Sequence, residues 1–61
     1  MFFSNKNSKQ KYSVGDTVMI KWRGQVGIIQ EYDRRSNKYL VKPVDKGYAE
    51  FYDEDDLSSN Y

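Results

Sequence analysis

The sequence predicts an all-β chain: a small barrel of about five short antiparallel strands, with a short helical turn before the last strand. Three observations carry this. Residues 17–22 alternate strictly, with Val18, Ile20 and Trp22 on one face and Thr17, Met19 and Lys21 on the other. That is period two over β-branched and aromatic side chains. Turn-forming residues recur at short, regular spacing through the rest of the chain, as they do in small sandwiches and barrels. Finally, Asp53-Glu54-Asp55-Asp56 is too charged for a strand and reads as one helical turn, with Leu57 behind it as the apolar plug of the barrel end.

In order along the chain, Val14-Gly15-Asp16 turns into the first strand, Thr17–Trp22. Arg23-Gly24-Gln25 breaks the run, and Val26–Tyr32 resumes it. The alternation slips there, because Val26 and Ile28 share a face yet Ile29 follows directly. Gly27 beside the slip predicts a bulge or a tight corner. Asp33-Arg34-Arg35-Ser36-Asn37 holds no apolar residue and reads as a hairpin loop. In the third strand, Lys38–Val44, the residues Tyr39, Val41 and Pro43 oppose Leu40, Lys42 and Val44. Asp45-Lys46-Gly47 supplies the next turn, Tyr48–Tyr52 a fourth strand, and residues 58–61 a last short one. The expected core is Val18, Ile20, Val26, Ile28, Val41, Phe51 and Leu57. Residues 1–11 read as a flexible N-terminal tail, and residues 12–61 as the barrel. Phe2 and Phe3 have three readings: they pack back onto the barrel, serve as a docking anchor, or have no particular role.

Sixty-one residues allow one domain at most, with a core that must be small and aromatic-rich. Six Tyr, three Phe and one Trp supply it. The chain has no Cys and no His, which removes disulfides, thiolate chemistry, the commonest general base and the commonest metal ligand. The four serines outside the tail, Ser13, Ser36, Ser58 and Ser59, therefore have no His to activate them, and the expectation is no enzyme and no cofactor. The run at 53–56 lacks the alternating ligand spacing and the glycine of a calcium loop, so no metal is expected there. No apolar run approaches the roughly 20 residues of a membrane span. Met1-Phe2-Phe3 stops at Ser4, short of a secretory signal, and the expected location is cytoplasmic.

The net charge of +1 conceals a polarity. Residues 1–48 hold all ten Lys and Arg against four acids, whereas residues 49–61 hold five acids and no base. Either the halves form separate charged surfaces, or they meet in the fold and neutralise each other. The second is expected if the last strand returns beside the first and sets the acidic turn near Lys21 and Arg23.

The run VGDTVMIKWRGQVGIIQEYD, followed by NKYLVKP and AEFYDEDDL, resembles the SH3-like barrels of the KOW and Tudor kind, including small stand-alone proteins of bacteria and their phages. The resemblance covers about residues 12–58. It implies a non-catalytic binding module, and the expected partner is a protein. The alternative it implies is nucleic-acid binding of the KOW type, with cations interleaved among Trp22, Tyr32, Tyr39 and Tyr48. In the protein-binding reading the contacts are Arg34, Arg35, Tyr48 and Tyr52. In the nucleic-acid reading Lys21, Arg23, Arg34, Arg35 and Lys38 meet phosphates, while Trp22 or Tyr32 stacks on bases. A pI near 7.9 lies below the value of about 9 typical of nucleic-acid-binding domains. Trp22 itself reads first as partly buried core and second as a ligand platform. An aromatic cage of the Tudor kind would draw on Tyr32, Tyr48 and Tyr52.

Overall fold

A computed structural model describes residues 10–59. The expectations for the N-terminal Phe pair and for residues 60 and 61 lie outside the described residues. Five antiparallel strands form one sheet: β1 (Thr17–Ile20), β2 (Gln25–Asp33), β3 (Lys38–Pro43), β4 (Glu50–Asp53) and β5 (Leu57–Ser58). A single 3₁₀ turn, Glu54–Asp56, separates the last two. The strand order is β4-β3-β2-β1-β5, so the chain runs as a meander and then returns to lie beside β1. Among the described residues no helix is long and apolar enough to cross a membrane.

The connection between β4 and β5 dictates the shape. These strands lie at opposite edges of the sheet, which on a flat sheet would be about 19 Å apart. Asp53 and Leu57 are joined by four peptide links, which reach about 14 Å at most. The sheet must therefore curl. No ladder joins β4 to β5 among the described residues, so the sheet remains open along that seam. Strand β5 is two residues long and spends its pairing on β1, through Met19↔Ser58 and Ile20↔Leu57. Arg23, in the turn after β1, reaches the Tyr52 hydroxyl of β4 at 3.2 Å.

The first strand is shorter than the alternation predicts. It ends at Ile20, because the Ile20 carbonyl accepts from the amides of both Arg23 (3.1 Å) and Gly24 (2.8 Å). That closes a tight turn over Lys21–Gly24, in which Gly24 adopts φ +63°. Trp22 therefore sits in the turn and not on the core face. The fourth strand likewise starts later than expected, at Glu50.

The core contains Tyr12, Val18, Ile20, Ile29, Tyr39, Val41, Tyr52 and Leu57, with Pro43 also enclosed. Four of the seven expected core residues are there: Val18, Ile20, Val41 and Leu57. The other three need correction. Val26 is only partly buried, and Ile28 and Phe51 are exposed on the outer face. Register explains it. Val18 pairs with Gly27 and Gly27 with Pro43, while Ile29 pairs with Val41, so the inward phase of β2 is Gly27-Ile29. An apolar count favours Val26 and Ile28 because glycine carries no side chain to register.

Gly27 is also not the site of the bulge. The β2–β3 register shifts between Ile29 and Glu31, leaving Gln30 as the extra residue. Gly27 is required by a close approach: a Cβ there would lie 2.6 Å from Val41 Cγ1 and 3.1 Å from the Lys42 carbonyl oxygen.

One hydroxyl ties three segments of the chain together. Tyr39, fully buried, accepts from the amides of Lys11 (2.8 Å) and Tyr12 (3.2 Å) and donates to Glu54 Oε2 (2.7 Å). Tyr12 in turn donates to the Leu57 carbonyl (3.1 Å) and meets the Tyr39 ring edge-on at 5.5 Å. The segment before β1, the middle of β3 and the 3₁₀ turn are thus held to a common point.

Candidate functional site

The turn Lys21–Gly24 projects Trp22 and Arg23 towards β4. Trp22 is 62% exposed, and its ring lies 6.1 Å from that of Tyr52 at an interplanar angle of 52°. The Arg23 guanidinium stands 5.1 Å from the Trp22 ring centre, a distance at which cation–π attraction operates. Its Nη1 donates to the Tyr52 hydroxyl and to Gln25 Oε1, each at 3.2 Å. The Tyr52 hydroxyl passes the chain on, donating to Glu50 Oε1 at 3.2 Å. Gln25 is itself anchored, its Nε2 donating to Asp45 Oδ1 at 2.8 Å. The β1–β2 turn, the β3–β4 connection and β4 are joined by this network.

Tyr48, 56% exposed, lies near enough to Tyr52 to influence its hydroxyl. Burial of the Tyr52 ring raises its hydroxyl above the ordinary phenol pKa. The Glu50 hydrogen bond and the proximity of Tyr48 add to the rise, while Arg23 opposes it. Tyr52 is therefore a neutral, hydrogen-bonding wall behind Trp22 at physiological pH. The result is an exposed Trp beside a guanidinium that is already positioned.

The remaining expected site residues fall elsewhere. Arg34 and Arg35 occupy the hairpin at the far end of β2, which at about 3.3 Å per residue is roughly 30 Å of strand from the Trp22 turn. That hairpin is built on Asp33, which accepts from the Arg35 amide (3.1 Å) and the Ser36 hydroxyl (3.0 Å). Asn37 completes it at φ +58°. Tyr32 donates to Asn37 Oδ1 at 2.6 Å and stacks 4.7 Å from the Tyr39 ring, so it supports the hairpin and the core. It does not join a cage with Tyr48 and Tyr52. Lys38 pairs with Asp53 at 2.6 Å, and that hydrogen bond raises its pKa. Tyr39, expected among the stacking aromatics of the nucleic-acid reading, has no exposed surface.

The acidic segment does return beside β1, since the Lys21 amide donates to the Asp56 carbonyl at 2.9 Å. With Lys38 paired to Asp53, the positive and negative halves of the chain meet at two places. Among the described residues no group of three or more acidic side chains gathers as a metal site.

Three members of the Trp22 network were not expected from the sequence: Gln25, Asp45 and Glu50. Glu50 had a usable signal, since it lies two residues before Tyr52 on a strand and so shares its face. Gln25 and Asp45 had none, because their meeting depends on how the start of β2 and the β3–β4 connection converge. The chain matches no family model, no curated protein and no solved structure.

Proposed function

We propose that this chain is a non-catalytic binding module of the SH3-like barrel kind, a cytoplasmic accessory protein that engages a protein partner through its Trp22 end. The observation carrying this reading is an exposed Trp22 held in place by Arg23 and Tyr52. Trp, Tyr and Arg are the residue types that dominate interface energetics. Here they are already ordered by one another, which lowers the entropy lost on association. The Cys-free composition fits a reducing compartment.

Nucleic-acid binding is the weaker reading. Its cations divide between two ends of β2, and Lys38 is neutralised by Asp53. One experiment distinguishes the two: affinity capture from a lysate of the parent cells with the wild-type chain and with Trp22→Ala. The expected result is a stoichiometric protein partner retained by the wild type and lost by at least about tenfold with Trp22→Ala, a hot-spot effect of about 1.4 kcal/mol or more. Recovery of nucleic acid alone, released steeply by salt, would overturn it.

A further inference from the structure

Lys21 precedes Trp22 in the same turn but lines a different surface. A cleft of about 300 Å³ is bounded by Lys11, Tyr12, Lys21, Leu57, Ser58 and Ser59. Its floor is fixed, since the Tyr12 hydroxyl donates to the Leu57 carbonyl and both residues are buried. Its rim carries two exposed lysines from separate parts of the chain. Neither lysine is ion-paired to a described residue. No carboxylate lines the cleft, although the chain has nine acids. We propose that this cleft, between the segment leading into β1 and strand β5, binds the terminal phosphate of a small phosphate monoester through Lys11 and Lys21, with the Ser59 hydroxyl as a neutral donor.

Three physical points select that ligand. Two ammonium groups match the charge of a monoester, about −1.5 to −2 near neutral pH. Ammonium groups serve phosphate as point charges, whereas flat bidentate capture of carboxylates is the work of guanidinium, which the cleft lacks. The surroundings also favour a compact ligand over a polyanion. Glu54 accepts from the Lys11 amide, and the Asp56 carbonyl accepts from the Lys21 amide. The acidic turn thus stands directly beside the cleft. A nucleic-acid backbone leaving the cleft past this turn would meet like charge, whereas a sugar-sized ester fits within the volume.

The test is an amide-resolved NMR titration of the full chain with ribose 5-phosphate, with sulfate and a five-nucleotide single-stranded DNA run in parallel. The expected result is saturable shifts at Lys11, Lys21 and Ser59 with ribose 5-phosphate, reproduced by Trp22→Ala. They weaken at least about tenfold in Lys11→Gln/Lys21→Gln, the loss of about 1.4 kcal/mol of charge-assisted bonding. Both lysine side chains are exposed, and a thermal melt verifies that the double variant is folded. Equal affinity for sulfate, unchanged binding by the double variant, or no saturable shift overturns the proposal. Shifts at these residues from the oligonucleotide but not from the monoester also overturn it and assign the phosphate to a nucleic-acid backbone.

Discussion

At the scale of single residues, Tyr39 and Trp22 show how poorly residue type alone separates core from surface. Both are large aromatics next to lysine in or beside a strand. Tyr39 is wholly enclosed, and Trp22 is 62% exposed. For Tyr39 the alternation is a sound guide, since Tyr39, Val41 and Pro43 share the inward face as their spacing implies. For Trp22 it fails because the strand ends two residues earlier, where the Ile20 carbonyl captures the turn. Tyr39 offers a sharp test. Tyr39→Phe keeps the ring but removes the acceptor of the Tyr12 amide, a buried donor. The expected cost is about 1–3 kcal/mol, the penalty for an unsatisfied buried polar group. Urea denaturation measures it, and a loss below about 0.5 kcal/mol would show that another group replaces the hydroxyl.

At the scale of elements, strand existence and order along the chain were legible, and the phase of β2 was not. Turn residues and period-two patterning locate the first four strands to within two residues, while the last, expected over 58–61, is Leu57–Ser58. The inward phase of β2 depends on Gly27 packing under Val41, and glycine leaves no mark in a hydrophobic pattern. The consequence is direct. Gly27→Ala places a methyl group 2.6 Å from Val41 Cγ1 and 3.1 Å from the Lys42 carbonyl. Overpacking of this kind costs about 1–3 kcal/mol. The double variant Gly27→Ala/Val41→Ala should recover part of the loss in the same denaturation measurement. A double variant that simply adds the two single losses would mean that the close approach is not what requires glycine. The candidate site divides similarly. Trp22, Arg23, Tyr48 and Tyr52 could be named from the sequence, but that Trp22 and Arg23 precede β2 while Arg34 and Arg35 follow it, with Tyr52 in register with Tyr39 and Tyr32, is a matter of strand pairing.

At the scale of the whole molecule, charge and curvature act together. The short link from β4 to β5 curls the sheet and brings the Asp56 carbonyl to the Lys21 amide, while the β3–β4 register pairs Lys38 with Asp53. The groups with displaced titration all tell the same story about pH. Burial above all raises the Tyr39 and Tyr52 hydroxyls, and the hydrogen bond to Asp53 raises Lys38. A group held above its unfolded value stabilises the fold fully below that value and loses the contribution as pH rises through the folded one. Stability should therefore show no loss from these three groups between about pH 7 and 9 and fall above about pH 10, where phenols and lysine ordinarily titrate. Urea midpoints across that range test this, and Tyr39→Phe should flatten part of the alkaline decline. A midpoint that rises above pH 10 would contradict it.

The Trp22 end itself is tested most directly by mapping a captured protein partner onto the isotopically labelled chain by NMR. If Trp22, Arg23, Tyr48 and Tyr52 form the contact surface, amide shifts and broadening will concentrate at residues 21–25 and 45–52. The hairpin at 34–37 will stay unperturbed, and Trp22→Ala will abolish the pattern while remaining folded. Perturbation centred on the hairpin, or a partner that binds Trp22→Ala as tightly as the wild type, would show that the interaction surface lies elsewhere.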